Sequence, residues 1–90
     1  YVILKELSIK EQYGYYLIKI IEFKYELFIS ESALYSIISR FKKQGLVLER
    51  WVINHVGLPR KYLDITPQGR LTLNNMKIIL HAHLKMLGDL

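Results

Sequence analysis

The chain has 90 residues, 51% hydrophobic and 23% charged, with 13 Lys and Arg against 8 Asp and Glu and a net charge of +5. That length suits one small domain with a modest core, and the balance of apolar and charged residues excludes a disordered chain. The absence of cysteine excludes a disulfide framework and a thiolate metal site, and no apolar run reaches the ~18 residues that a membrane span needs, so a reducing cytoplasm is the expected compartment.

The chain opens at Tyr1 without Met and without a signal-peptide pattern, so a few leading residues are expected to be absent. "VILKEL", residues 2–7, reads as the end of a helix. Ser8 with Glu11 three residues on forms either a capping box for the next helix or a turn. "QYGYYLIKIIEF" gives a second helix to about Phe23, with Leu17, Ile20, Ile21 and Lys24 on one face. "KYELFI" breaks the helical period, and Phe28-Ile29 is expected as a very short strand. Ser30 is an N-cap whose hydroxyl accepts from the amide of Ser32 or Ala33. The third helix runs to about Lys43, with Lys42 and Lys43 at the negative end of its dipole and Gly45 ending it.

From Leu46 to Asn54 and from Lys61 to Ile65 the residues are β-branched, aromatic or alternating, which predicts a hairpin with its loop near His55 to Arg60. Pro59 cannot sit inside a central strand and marks the tip or its edge. Trp51, in the first hairpin strand, is expected in the core, with stacking on an aromatic effector as the alternative. Thr66 caps the last helix and Pro67 takes its first position; the helix continues to about Leu87 and Gly88 stops it. The order α-α-α-β-β-α predicts a mostly helical α+β fold, a winged helix-turn-helix. Residues 1–66 form that unit, and residues 67–90 form a C-terminal dimerisation helix packed on the same domain.

Between Arg40 and Lys61 lie six Lys and Arg against Glu49 alone, so this one segment carries the whole net charge. A localised basic block on a small domain is the footprint of a polyanion partner. At 100° per residue, Leu34, Ile37, Ile38 and Phe41 share the inner face of the third helix, while Ser32, Ser36, Ser39 and Lys43 lie opposite, flanked by Tyr35 and Arg40. Lys and Glu are better helix formers than Ser on a solvated face. A helix entering the major groove of double-stranded DNA, by contrast, gains from short polar side chains that let its backbone approach. Ser30, Ser32, Ala33 and Ser36 are therefore expected in the groove, with Arg40 and Lys43 on phosphates. Tyr35 either directs its hydroxyl to a phosphate or is a plain boundary tyrosine. Arg60 and Lys61 point to opposite faces of a strand, so at most one follows the duplex directly.

In the last helix Leu73, Met76, Leu80, His83 and Leu87 recur at 3-4-3-4 spacing, a heptad-like seam, and Ile78, Ile79, Ala82 and Met86 add a second apolar surface. A helix apolar on two sides needs its own domain and a second partner, expected to be another copy of the chain. A homodimer would place two recognition helices about 34 Å apart, on successive major grooves. His81 and His83 are two apart and cannot chelate one metal as an i, i+4 pair could. A Gly-rich phosphate loop, a cysteine and an acid pair placed with a His are all lacking, so neither catalysis nor a cofactor is expected.

Three blocks, "YGYYLIKII", "ISESALYSIISRFKKQGLV" and "GLPRKYLDITPQGR", resemble the signature of the PadR family, the phenolic acid decarboxylase repressor type. The matching residues are Gly14-Tyr15, Leu34-Tyr35, Gly45-Leu46-Val47, Gly57-Leu58-Pro59-Arg60-Lys61-Tyr62 and Thr66-Pro67-Gln68-Gly69, covering about residues 13–70. The resemblance implies a homodimeric, prokaryotic, nucleoid-associated repressor on operator DNA. It implies phosphate contacts from Tyr15 and Tyr35 and wing contacts from Arg60 and Lys61; some relatives take small aromatic effectors at the dimer interface. Leu58 stands in a slot that is often Arg, which weakens the expected wing contact. The rival readings are a winged-helix module that binds an acidic protein, and a plasmid partition or replication DNA-binding protein.

Overall fold

A computed structural model describes residues 1–53, 57 and 59–88 of the chain. The elements run α1 (Val2–Ile9), β1 (Gln12–Tyr13), α2 (Gly14–Tyr25), α3 (Glu31–Lys43), β2 (Val47–Ile53), β3 (Pro59–Ile65) and α4 (Pro67–Gly88). This is the expected winged helix-turn-helix with one addition. The strand β1 makes the hairpin a three-stranded antiparallel sheet of order β1-β3-β2, pairing Gln12 with Leu63 and Tyr13 with Tyr62. Gln12 and Tyr13 had read as the start of a helix; two residues have no period of their own, and it is the edge of β3 that makes them a strand.

Ser8 and Glu11 form no capping box. Ser8 lies inside α1, where its hydroxyl donates to the Lys5 carbonyl at 2.6 Å, and Glu11 pairs with Arg50 of β2. The apolar face of α2 buries Leu17 and Ile21 against Ile3, Leu4 and Leu7 of α1, Leu34 and Ile38 of α3, and Leu63 and Ile65 of β3. Lys24, on the same side of α2, reaches back to the buried carboxylate of Glu6 at 2.8 Å, and the Tyr25 hydroxyl donates to that carboxylate at 3.2 Å. A buried carboxylate is tolerable when it is paired and hydrogen-bonded in this way. Beyond α2, Glu26 adopts a left-handed conformation (φ 54°) and turns the chain; Phe28 and Ile29 make no strand, and Phe28 is exposed.

The hydroxyl of Ser30 accepts from the Ala33 amide at 3.0 Å, as a cap should. At the other end of α3 the Gly45 amide donates to Lys42 O and the Leu46 amide to Phe41 O, with Gly45 at φ 73°. These are the two bonds of a Schellman motif, and they need a residue without Cβ at the left-handed position. Thr66 then joins three elements. Its hydroxyl donates to Gly45 O at 2.6 Å and accepts from the Gly69 amide at 2.9 Å, and its own amide donates to Leu46 O at 3.0 Å.

In β2 and β3 the register pairs Trp51 with Lys61 and Ile53 with Pro59. Pro59 is the first residue of β3, the strand position that tolerates it. Trp51 is not in the core: it is 64% exposed. The outer half of the hairpin projects past the helices, so strand alternation there buries neither face. His55 and Leu58 lie outside the described residues. Along α4, Leu73 and Met76 pack on the protomer's own core, whereas residues 77–88 are all exposed, including Leu80, His83 and Leu87. The molecule measures 55 Å along its long axis against 27 and 21 Å across.

Candidate nucleic-acid interface

Ser32, Ala33, Tyr35, Ser36, Ser39, Arg40 and Lys43 are all exposed on one side of α3, while Leu34 and Ile38 are buried on the other. Small side chains occupy the middle of the outer face and cations its C-terminal end, and no acid pairs with Arg40 or Lys43 among the described residues. Ser30 sits at the N-terminal edge of this face, with its acceptor role taken by the cap.

Tyr35 leans from α3 onto the first residue of α2. A Cβ on Gly14 would meet the Tyr35 hydroxyl, and would lie 2.8 Å from its Cζ. Only glycine lets the ring pass there, which places the phenol beside the uncapped amides at the start of α2. Burial pushes the Tyr35 hydroxyl above the usual phenol range, with Glu31 and Glu49 adding to the shift, so it stays protonated and able to donate. Tyr15, the second residue of α2, is exposed, and the Lys19 ammonium lies 5.6 Å from its ring centre. Tyr15, Lys19, Tyr35 and the α2 N-terminus thus form one donor-rich edge beside the outer face of α3. Lys19, which the sequence reading does not single out, joins this candidate edge through its i, i+4 spacing from Tyr15.

The wing divides its two expected residues. Arg60 lies on the back of the sheet, its guanidinium 4.7 Å over the Tyr13 ring, within a cluster of Tyr13, Tyr16 and Tyr62. The Tyr13 hydroxyl is pushed above the phenol range, chiefly by its hydrogen bond to Tyr16. Lys61 lies on the opposite, front face, 3.4 Å from Glu49, which is also 2.9 Å from Lys42 in the last turn of α3. Partial burial pushes the Glu49 carboxyl up, but Lys42 and Lys61 together outweigh it and hold the group below the usual carboxylate range. Arg50, on the back, is tied to Glu11 through Nε at 3.0 Å and through Nη2. The basic block is therefore less uniform than its sequence: among the described residues Lys42, Arg50 and Lys61 have acidic partners, and Arg40 and Lys43 do not.

The sequence that builds this face and its flanking wing also matches a known family. The family model described as the transcriptional regulator PadR-like family matches residues 3–75. The chain belongs to the PadR-like family of transcriptional regulators. A PadR-like transcriptional regulator from Bacillus cereus is 28% identical, with a TM-score of 0.87 over 97% of this chain and 84% of that one. A transcriptional regulator from Clostridium thermocellum is 26% identical, with a TM-score of 0.88 over 99% of this chain and 85% of that one. Bacillus subtilis PadR, solved in complex with operator DNA, shares the fold at 23% identity and a TM-score of 0.74; the match covers 86% of this chain and 45% of that one. No curated protein matches the sequence. Among the described residues no helix is long and apolar enough to cross a membrane.

Proposed function

We propose that this PadR-like regulator is a cytoplasmic, nucleoid-associated repressor that binds operator DNA as a homodimer and performs no catalysis. Residues 1–66 read the duplex. Ser30, Ser32, Ala33 and Ser36 face base edges in the major groove, and Tyr15, Tyr35, Arg40 and Lys43 hold phosphates on its rim. Arg60 and Lys61 act from the wing. Residues 67–90 join two copies through the outer half of α4, with Leu80, His83 and Leu87 on the seam and Leu73 and Met76 anchoring the helix to its own domain. A small aromatic effector, as in some relatives, would lodge where the two copies of α4 meet.

The observation that carries this reading is the outer face of α3. It is short-chained and polar at its centre, carries Arg40 and Lys43 without acidic partners among the described residues at its end, and is bordered by a tyrosine hydroxyl held over Gly14. A solvated surface does not call for that combination, whereas a groove about 12 Å wide favours short polar side chains that let a helix approach. The test is a gel-shift titration of operator and unrelated duplexes at two salt concentrations. Ser36→Leu should lower operator affinity at least tenfold while changing unrelated-duplex binding little; Arg60→Ala should weaken both alike. Normal operator binding by Ser36→Leu would remove the groove assignment.

A further inference from the structure

Trp51 is the largest side chain on the wing, and nearly two thirds of it is in contact with solvent. An indole left in water forgoes the largest burial any side chain offers, so its surroundings indicate what covers it. It stands on the front face of the hairpin opposite Lys61, whose Nζ lies 5.1 Å from the ring centre. Lys61 connects through Glu49 to Lys42 on α3. The indole therefore extends, outward along the hairpin, the ion-paired chain Lys42–Glu49–Lys61 that starts in the last turn of α3. On the back face Arg60 is stacked on Tyr13 and Arg50 is paired with Glu11.

We propose that Trp51 is a duplex-contacting residue, its indole packed flat on a deoxyribose of the DNA backbone beside the groove entered by α3. The indole N–H donates to a phosphate oxygen, and Lys61, positioned by Glu49, meets a neighbouring phosphate. A sugar–phosphate strand alternates an apolar face with an acceptor-only anion; Trp offers an apolar plate with one donor and no acceptor. Such a contact carries no sequence information and fixes the position of the wing. This inference rests on the DNA-binding reading above.

Trp51 is the only tryptophan in the chain, so its emission reports this site alone. The full chain is titrated with a mixed-sequence duplex while emission and acrylamide quenching are followed beside a gel shift. The expected result is a spectral change and a severalfold loss of quenching that saturate with the shift and reverse with salt. Trp51→Ala should weaken binding about tenfold with the slope of log K against log salt unchanged, because an indole releases no counterion, whereas Lys61→Ala should reduce that slope by about one. Circular dichroism and sedimentation establish that both variants keep their fold and assembly. A bound duplex with unchanged emission and quenching, or a folded Trp51→Ala that binds like the parent, overturns the proposal. Protection that follows protein concentration without DNA also overturns it, by assigning the indole to a contact between copies. A parent chain that binds no duplex at low salt fails the DNA-binding reading itself, a result distinct from a bound duplex with a silent tryptophan.

Discussion

Gly14 and Gly69 both lie where a Cβ would collide, yet the collisions differ in kind. At Gly14 the obstacle is the far end of the Tyr35 side chain, which can swing away; at Gly69 it is the Leu46 carbonyl, with Ile65 Cγ1 at 2.7 Å behind it. Gly14→Ala should therefore leave thermal stability within about 1 kcal/mol of the parent while displacing the phenol and lowering duplex affinity about tenfold. Gly69→Ala should cost about 2–4 kcal/mol, seen as a lowered denaturation midpoint, because backbone cannot give way. Glu49 supplies a pH effect at the same scale. Its carboxyl titrates below the usual range, so the tie it makes between α3 and the wing contributes stability above the unfolded-state pKa and loses it as pH falls through the lower folded-state pKa. A carbon-detected NMR titration should place its midpoint below that of an unperturbed glutamate, and Lys42→Ala should raise it.

Among the elements, those whose ends carry their own chemistry were legible in the sequence. Ser30 announces the start of α3, Gly45 its end, and Thr66-Pro67 the start of α4, because each acts on backbone groups one to three residues away. What depended on distant partners was not legible. The strand β1 exists only through β3, the exposure of Trp51 depends on how far the hairpin outreaches the helices, and Glu49 gains two lysines from different elements. The candidate site divides in the same way. The serine face of α3 follows from helical period alone, but the separation of Arg60 from Lys61 acquires meaning only once Tyr13 and Glu49 are seen to hold them. The outer half of α4 gives the prediction at this scale. Leu84 and Leu87 are each nearly two thirds exposed in the protomer, so a charge at either costs the core little. A Leu84→Lys, Leu87→Lys double variant should thus keep the helix content and core of the domain yet sediment as a monomer. It should bind operator at least tenfold more weakly, because one half-site must then be held alone.

For the whole molecule, Thr66 and Gly69 have a consequence in the geometry of reading. Thr66 bonds the residue that ends α3, and Gly69 seats the first turn of α4 on the next carbonyl, Leu46 O. The end of α3, the proposed recognition helix, and the root of α4 are thus joined directly. In a dimer built on α4, that helix, 22 residues and so about 33 Å long, is a lever with the reading head at its fixed end. A tilt of about 5° along such an arm moves its far end by about 3 Å, close to one base-pair step. The spacing of DNA half-sites that the protein accepts is then set by the packing of apolar side chains far from any base, and a change confined to that seam can alter which operator is recognised while every groove-facing residue stays the same.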